Sequence, residues 1–365
     1  MNKFGAGTKR VDIPLLIIVL ALILFGMVML YSTSSYNGLV KFADPFYYLK
    51  KQFFATSLGL LAMYVVANID YHCWASFAVS GYVMSAALSI LVLLVGQEIN
   101  GSKRWLALGP LSFQPSELAK VALIIFLAWI VTKQGKKIVN IKTMFLVIFS
   151  SLPIVGLVGS NNLSTAIIIL GIAVVLIFVA SPKYMQFIAI GVLGIGFVGI
   201  FLALESYRLE RLKIWLNPEK FEKGYQTLQG LYAIGSGGIF GVGIGNGKQK
   251  LGFVPEAQND MIFSIICEEM GLFGAGILIF LFSLLIWRLM VVASHTRDLY
   301  GCLIVAGIMA HIMIQVILNI AVVTNTIPNT GITLPFVSYG GTSVLFLLSE
   351  MGIALNVSSS AKGCQ

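Results

Sequence analysis

Long runs of apolar residues dominate the chain and alternate with short polar connections. Residues 13–30, 77–95, 185–204 and 303–323 each approach or reach the roughly 20 residues that cross a hydrocarbon core as a helix. These runs lack the strict apolar/polar alternation of a membrane β-barrel. Because backbone groups inside a bilayer must be paired within helices or closed barrels, the pattern predicts transmembrane helices.

The full pattern predicts an all-α, polytopic membrane protein with about ten transmembrane helices in a single domain, residues 1–365. One large connection, residues 205–258, separates the seventh and eighth helices. The first apolar run is of spanning length and lacks a small-residue cleavage site, so we expect it to remain as an anchor. The predicted spans are residues 12–31, 50–69, 74–95, 115–132, 143–160, 163–181, 184–204, 260–290, 299–323 and 332–357.

Composition supports a membrane protein. Of 365 residues, 58% are hydrophobic and 11% are charged, and the mean hydropathy is +0.92. Such a chain has too little polar surface to cover a soluble globule. The formal net charge of +9 indicates attraction to anionic lipid head groups and not to nucleic acid. The cysteines and histidines show no metal-ligand spacing, and we predict neither a disulfide nor a metal cluster.

Basic residues in the short connections predict the orientation, because lysine and arginine accumulate on the cytoplasmic side. With an even number of spans, both termini are cytoplasmic and the connection at residues 205–258 is extracellular. That connection carries seven basic residues against five acidic ones, but a long segment constrains orientation less than a short one. The basic residues that set the orientation are Lys3, Lys9, Arg10, Lys133, Lys136, Lys137, Lys142, Arg288 and Arg297.

The glycine-rich stretch GVGIGNGKQKLGFVPEAQND, residues 241–260, is not a nucleotide-binding loop. A Walker loop requires GxxxxGK followed by Ser or Thr, but here Val242 takes the place of the first glycine and Gln249 follows Lys248. The dinucleotide pattern GxGxxG also fails, because the glycines fall at every second position. Two alternatives remain: a flexible linker, or a loop whose backbone amides approach an anion.

Asp260 ends this stretch and begins the predicted eighth span. In a helix that starts near it, one stripe of small residues lies below the carboxylate, formed by Ser264, Cys267, Gly271 and Gly274. Small stripes let neighbouring helices approach closely, so we expect the acid to face the bundle or a cavity and not lipid. The alternative is that Asp260 or Asn259 caps the helix N-terminus.

Other polar residues inside apolar runs predict a polar interior, because charges in membrane helices are usually paired or functional. Glu117 and Lys120 lie at i, i+3 and can form a structural ion pair across one turn. The stretch PNTGITLPFVSYGG, residues 328–341, predicts a broken helix whose freed backbone groups need a polar cavity. The remaining polar residues in these runs include Glu268, Glu269, His311, Asn319 and Glu350.

Three stretches resemble the signature regions of the SEDS family, the FtsW, RodA and SpoVE proteins of bacterial cell-wall synthesis. They are SKRWLALGPLSFQPSELAK (102–120), GVGIGNGKQKLGFVPEAQNDMIFSIICEEMG (241–271) and PNTGITLPFVSYGGTS (328–343). The similarity runs over essentially the whole chain, and the form PEAQND is more similar to FtsW and SpoVE than to RodA. One departure lies at the start of the sixth span, where many relatives have an Asp-x-Gly-Thr-like sequence and this chain has residues 162–165, NLST.

The resemblance implies a peptidoglycan glycosyltransferase of the bacterial plasma membrane that polymerises lipid II during septal or spore cell-wall synthesis. It implies several partners: a class B penicillin-binding protein acting as transpeptidase, other divisome or elongasome proteins, the substrate lipid II, and membrane lipids. No nucleic acid is expected as a partner. Two other classes stay open at this point: a lipid II flippase, and a non-enzymatic scaffold that recruits a transpeptidase.

For such a transferase, the resemblance makes Asp260 the expected general base, which accepts the proton of the attacking sugar hydroxyl. Undecaprenyl pyrophosphate leaves as an anion and requires cations instead of a second acid. A divalent cation, Mg²⁺ or Mn²⁺, could share this work. We expect Lys248 and Lys250 to be mobile beside the glycines, which give the loop room to close over a diphosphate. The expected substrate-binding residues are Lys103, Arg104, Glu117, Lys120, Lys248, Lys250, Ser338 and Tyr339.

Overall fold

The computed structural model describes residues 11–99, 102–108, 111–181, 191 and 213–362. Three short antiparallel strands, β1 Gln97–Ile99, β2 Ser102–Leu108 and β3 Leu111–Phe113, form one small sheet. The helices are α1 Ile13–Phe42, α2 Tyr47–Asn68, α3 Cys73–Ser76, α4 Ala78–Val95, α5 Pro115–Gln134, α6 Ile141–Gly159, α7 Leu163–Ala180, α8 Tyr225–Ser236, α9 Ile262–His295, α10 Leu299–Val323 and α11 Gly341–Lys362.

Eight of the described helices are long and apolar enough to cross a membrane: α1, α4, α5, α6, α7, α9, α10 and α11. They confirm the predicted all-α, polytopic membrane fold. The predicted second span is present as α2, whose polar residues, Lys50 and Lys51 among them, keep it outside these eight. The predicted seventh span, residues 184–204, lies outside the described residues except for position 191, as do residues 205–212 of the long connection.

Helix α10 lies at the centre of the described bundle and packs against α5, α7, α9 and α11. Close approach depends on small residues, since apolar side chains gain little by leaving lipid for another helix. A Cβ at Gly307 would lie 2.8 Å from the side chain of Ile124 on α5. The helices at the Asp260 end of the bundle therefore pack around one central helix, α10.

Helix α9 is broken at Gly271, where φ is 65° and ψ is −164°. The sequence analysis predicted one continuous helix here, and that prediction is wrong at this residue. Gly271 lies nine residues beyond Ile262, or roughly 14 Å along the axis, inside the candidate membrane span. Backbone groups freed at such a break must find partners within the protein.

Residues 237–247, the glycine loop, supply those partners. The backbone N–H groups of Val242 and Gly243 donate to the carbonyls of Glu268 and Glu269, each at 3.0 Å. In return, Leu272 donates to the carbonyl of Gly238 at 2.9 Å, and Phe273 donates to that of Ile239 at 3.0 Å. The glycine loop therefore re-enters the bundle beside α9 and is not a free linker.

Two glycines make this close approach possible. At Gly241, φ is 79°, and a Cβ would lie 2.2 Å from the carbonyl oxygen of Glu269. At Gly271, a Cβ would lie 2.4 Å from the backbone nitrogen of Gly241. Since both obstacles are backbone atoms, no side-chain rotation can relieve the overlap.

Two adjacent carboxylates of α9 fix the chain that leaves the glycine loop. Glu268 accepts from the backbone N–H groups of Lys248 at 2.8 Å and Gln249 at 3.2 Å. Glu269 pairs with the ammonium of Lys250 at 2.5 Å and accepts from the hydroxyl of Ser32 on α1 at 2.7 Å. Lys250 is 4% exposed, so the expectation of a mobile Lys250 is wrong. Its ammonium neutralises a buried acid instead.

Gly271→Ala should destabilise the protein, because alanine at this φ is strained and its Cβ overlaps the glycine loop. Gly276→Ala, in the same helix, is the control: its Cβ meets nothing within 4 Å, and alanine favours helix by about 1 kcal/mol. Thermal unfolding followed by fluorescence-detected size-exclusion chromatography measures both. Equal melting temperatures for the two variants would contradict the packing of the glycine loop on α9.

Lys250→Met should lower stability by about 3–5 kcal/mol, because it leaves the Glu269 carboxylate buried without its cation. The double variant Lys250→Met/Glu269→Leu should recover most of that loss, since it removes both charges. Lys248→Met is the control, because the Lys248 side chain is exposed. Full thermal stability of Lys250→Met would show that the Lys250 ammonium is not needed to neutralise Glu269.

Candidate active site

A cavity of about 740 Å³ opens at the end of the bundle that carries Asp260. Its walls come from the small sheet, the first turns of α5 and α7, the turn before α9, and the irregular segment 324–340 that precedes α11. The cavity brings Asp260 together with four residues predicted to bind substrate: Arg104, Glu117, Lys120 and Tyr339.

The other residues predicted to bind substrate do not line the cavity, or have side chains outside the described part of the structure. Lys248 is exposed and Lys250 is buried against Glu269, and neither lines the cavity. Ser338 lies inside the wall, where its hydroxyl donates to the carbonyl of Asn259 at 2.6 Å. For Lys103 the structure describes only the backbone, which pairs with Glu98 in the sheet. Among the described residues, the cations that line the cavity therefore come from β2 and α5, and not from the lysines that follow the glycine loop.

Asp260 lies in the turn before α9, outside the membrane-spanning segment, and is 9% exposed. The N-cap position is Met261 and no side chain caps this helix, so the alternative of a capping aspartate or asparagine is wrong. The side-chain amide of Gln226, on α8, donates to Oδ1 of Asp260 at a long 3.5 Å. Asp260 thus presents a buried carboxyl to the cavity.

Burial raises the pKa of Asp260 to about 7, and the negative charge of Glu256 adds to the shift. A carboxyl with this pKa exchanges protons near neutral pH, which is the range that a general base requires. Burial also raises the pKa of Tyr339 to about 12, so its hydroxyl stays protonated and can donate a hydrogen bond into the cavity. At neutral pH, Asp260 can therefore accept a proton, whereas Tyr339 can only donate a hydrogen bond or accept one as a neutral hydroxyl.

Hydrogen bonds from α10 and from segment 324–340 fix the turn that carries Asp260. The amide of Asn319 on α10 donates to the carbonyl of Asp260 at 2.9 Å and to that of Ile332 at 2.6 Å. The backbone N–H of Tyr339 donates to the carbonyl of Gln258 at 2.9 Å. The predicted last span begins at Gly341 and not near residue 332, because segment 324–340 bonds to this turn and walls the cavity instead of forming helix.

A buried polar chain leads from the cavity into the bundle. Lys120 forms an ion pair with Glu117 at 2.9 Å and donates to Oε1 of Gln315 at 3.1 Å. The same oxygen lies 2.9 Å from Nε2 of His311, whose Nδ1 lies 2.9 Å from Glu350. The predicted Glu117–Lys120 pair is therefore formed, and His311 is a packed side chain paired with an acid.

Arg104 and Lys120 are the cations that line the cavity within the described residues. The Nε of Arg104 donates to the carbonyl of Asn161 at 3.0 Å, which orients the guanidinium at the start of α7. Asn162, where the family resemblance led us to expect an acid, lines the cavity and caps α7 by accepting from the N–H of Thr165 at 3.2 Å. The cations thus lie along one wall, formed by β2 and α5.

Among the described residues, no group of three or more His, Cys, Asp or Glu side chains is arranged to hold a metal ion. The proposed mechanism draws on the protein groups of the described residues. The sequence analysis missed Gln226 and Glu256 as cavity residues. Gln226 gave no signal, because it belongs to α8, a short helix in a connection where none was predicted.

The chain is similar over nearly its whole length to known membrane proteins. A family model described as Cell cycle protein, covering FtsW, RodA and SpoVE, matches residues 13–363. Stage V sporulation protein E of Bacillus subtilis is 40% identical, with 95% of this chain and 96% of that protein covered. The probable peptidoglycan glycosyltransferase FtsW of Trichlorobacter lovleyi is 37% identical, with 96% of this chain and 94% of that protein covered.

Solved structures share the fold. A chain from the structure of a peptidoglycan synthase complex that coordinates polymerization and crosslinking gives a TM-score of 0.83 at 30% identity, covering 96% of this chain and 98% of that one. The rod shape determining protein RodA of Thermus thermophilus gives 0.69 at 30% identity, covering 96% and 97%. With the family model matching almost the entire sequence, the chain belongs to the SEDS family of FtsW, RodA and SpoVE membrane proteins.

Proposed function

We propose that this chain is a peptidoglycan glycosyltransferase that polymerises lipid II into glycan strands, with Asp260 as general base and undecaprenyl pyrophosphate as leaving group. The observation that carries the proposal is the buried carboxyl of Asp260, which shares a cavity with Arg104 and Lys120. Relatives named peptidoglycan glycosyltransferase, 37% and 36% identical over almost the whole chain, support the reaction class.

The acceptor half of the reaction needs a proton acceptor. As the acceptor hydroxyl attacks the anomeric carbon of the donor, its proton passes to the carboxylate of Asp260. Because its pKa is about 7, Asp260 is ionised in much of the protein at neutral pH and still basic enough to accept that proton. A carboxylate with an ordinary pKa would be ionised but a weaker base.

The donor half needs positive charge. When the bond from the anomeric carbon to the pyrophosphate oxygen breaks, the electron pair leaves with the pyrophosphate, which is an anion. The guanidinium of Arg104 can bind a phosphate with two parallel hydrogen bonds, whereas the Lys120 ammonium acts as a point charge. Because Glu117 lies 2.9 Å from Lys120, it holds that ammonium in place before substrate arrives.

Buried oxygen atoms in the cavity suit a hydroxyl-rich and amide-rich ligand. Within the described structure, Oδ1 of Asn259 and Oγ1 of Thr330 are buried and have no hydrogen-bond partner. Both residues line the cavity, one beside Asp260 and one on segment 324–340. Buried polar atoms are normally paired, so these two oxygens favour a ligand that donates hydrogen bonds, as sugar hydroxyls and N-acetyl groups do.

The partner and the membrane orientation belong to the same proposal. A class B penicillin-binding protein would crosslink the strands that this chain makes, and the similarity to a chain of a peptidoglycan synthase complex supports such an assembly. The chain would lie in the bacterial plasma membrane with both termini in the cytoplasm and the cavity on the outer face. A flippase or a bare scaffold would need no general base, so polymerisation of lipid II by the purified complex distinguishes them from the enzyme.

Asp260→Asn should reduce glycan polymerisation by roughly 10² to 10⁴-fold, because the amide keeps the shape of the side chain and cannot accept the proton. Purified protein with its partner, lipid II and a gel of the glycan products give the rate. Asp44→Asn is the matched control, since Asp44 is paired with Lys50 on an exposed turn away from the cavity. In the unmodified protein the rate should fall as pH drops below about 7, where Asp260 becomes protonated. A normal rate in Asp260→Asn would remove the catalytic assignment.

Single cysteines should report the orientation. In a background without the four native cysteines, Lys220→Cys should react with an impermeant thiol reagent on intact spheroplasts, because residue 220 is exposed in the long connection. Lys137→Cys, exposed between α5 and α6, should react only after lysis. The reverse pattern would invert the topology and place the cavity in the cytoplasm.

A further inference from the structure

We infer that Asn319 is a positioning residue for the proposed reaction: its side-chain amide holds the turn that carries Asp260 and the facing wall of the cavity at a fixed separation. The inference rests on the proposed function. Asn319 does not line the cavity, so it acts through the backbone to which it donates.

The geometry of Asn319 is that of a bridge. Its side chain is 0% exposed on α10, and its one amide nitrogen donates to the carbonyl of Asp260 at 2.9 Å and to the carbonyl of Ile332 at 2.6 Å. The first carbonyl belongs to the acid itself. The second belongs to segment 324–340, which contributes Thr330, Gly331, Ile332, Thr333 and Tyr339 to the cavity lining.

Neither of these two walls has regular secondary structure, so neither is held by a helix or a sheet of its own. Helix α10, in contrast, is the packed centre of the described bundle. The amide of Asn319 on α10 therefore fixes the positions of both walls with respect to the central helix. Loss of the bridge would let the turn and the segment separate while the bundle itself stayed folded.

Few side chains can replace this one. The bridge needs two N–H groups on one nitrogen at short reach, which an asparagine amide supplies and a carboxylate lacks. An apolar side chain would leave both carbonyls without their donor in a buried place. The Oδ1 atom of Asn319 has no partner among the described residues. The hydrogen bonds of this side chain are therefore the two that its amide nitrogen donates, and these two form the bridge.

The chemistry is sensitive to this separation. A general base acts when its oxygen lies within about 2.6–3.2 Å of the hydroxyl oxygen whose proton it removes, and a displacement of about 1 Å can reduce the rate on the order of 100-fold. Opening the two walls would also admit water to the buried carboxyl of Asp260. Because burial is the main cause of its raised pKa, hydration would lower that pKa and move the acid limb of the rate profile to lower pH.

The test compares Asn319→Ala with Asn356→Ala in the full chain, purified with its partner and supplied with lipid II. Asn356 is a matched control: it is 1% exposed, donates to the carbonyl of Ala67 at 2.7 Å, and accepts from the N–H of Tyr71 at 2.9 Å. It lies fifteen residues along α11 from Gly341, roughly 22 Å from the cavity end. Both variants lose an equivalent buried amide, so their stability losses should be similar.

For Asn319→Ala we expect kcat to fall about 10- to 100-fold per folded molecule, with KM changed by less than about threefold, and the acid limb to move to lower pH. Asn356→Ala should keep the kcat and the acid limb of the unmodified protein. Should Asn319→Ala fail to fold, Asn319→Ser keeps one donor and should show the same changes in weaker form. An unchanged kcat and acid limb in folded Asn319→Ala or Asn319→Ser would overturn the positioning role.

These outcomes are separable from failure of the proposed function. If Asp260→Asn is inactive and the Asn319 variants are normal, Asp260 remains the base and only the positioning role is lost. If Asp260→Asn polymerises lipid II normally, the assignment of the base fails, whatever the Asn319 variants do.

Discussion

The break of α9 at Gly271 is the feature on which the active-site geometry depends. A backbone that leaves helical conformation inside a membrane span must have its N–H and C=O groups paired by other protein groups. The glycine loop satisfies that requirement through four backbone hydrogen bonds to residues 268–273. Beyond the loop, Glu268 and Glu269 of α9 also hold residues 248–250, so this part of the connection that leads to Asp260 is attached to the broken helix. A glycine-rich sequence that looks flexible is thus held to α9 by backbone hydrogen bonds.

Three acids within ten residues illustrate how environment assigns their roles. Glu268 accepts two backbone N–H groups, and Glu269 is neutralised by Lys250 and Ser32. Asp260 is also buried, but the charge that acts on it is that of another acid, Glu256, and its side-chain donor among the described residues is a neutral amide at 3.5 Å. Hydrogen bonds to Glu268 and the cation beside Glu269 therefore make these two acids structural, whereas burial and the charge of Glu256 raise the pKa of Asp260 enough for proton transfer.

The sequence was sufficient for most of the described membrane spans and for the inward-facing acid, because both follow from local pattern. Apolar runs located the spans, and the small-residue stripe below Asp260 correctly predicted that the acid faces inward: Ser264, Cys267, Gly271 and Gly274 are all buried. What local pattern could not show is pairing across the chain. Lys250 and Ser32 are separated by 218 positions, and only the fold shows that this lysine neutralises an acid instead of binding phosphate.

Asn319 and Gln226 are two further residues whose partners, distant in the sequence, could not be predicted from local pattern. Asn319 was noticed as a polar residue in an apolar run, which indicates a buried hydrogen bond but not its partners. Gln226 lies on α8, whose twelve residues are too few to span a membrane and were not predicted as an element. Both residues contact Asp260 from helices distant in sequence, at separations of 59 and 34 positions.

The departure at residue 162 bears on which acid performs the chemistry. The family resemblance predicts an acid at the start of this helix, but here Asn162 lines the cavity and caps α7. The reaction does not require a second acid, since pyrophosphate leaves as an anion, unlike the sugar oxygen that a glycosidase must protonate. Of the remaining cavity acids, Glu117 is held by Lys120, and Glu256 accepts a hydrogen bond from the side-chain amide of Asn259. An asparagine at position 162 is therefore compatible with catalysis, and it leaves Asp260 as the cavity acid best suited to accept a proton.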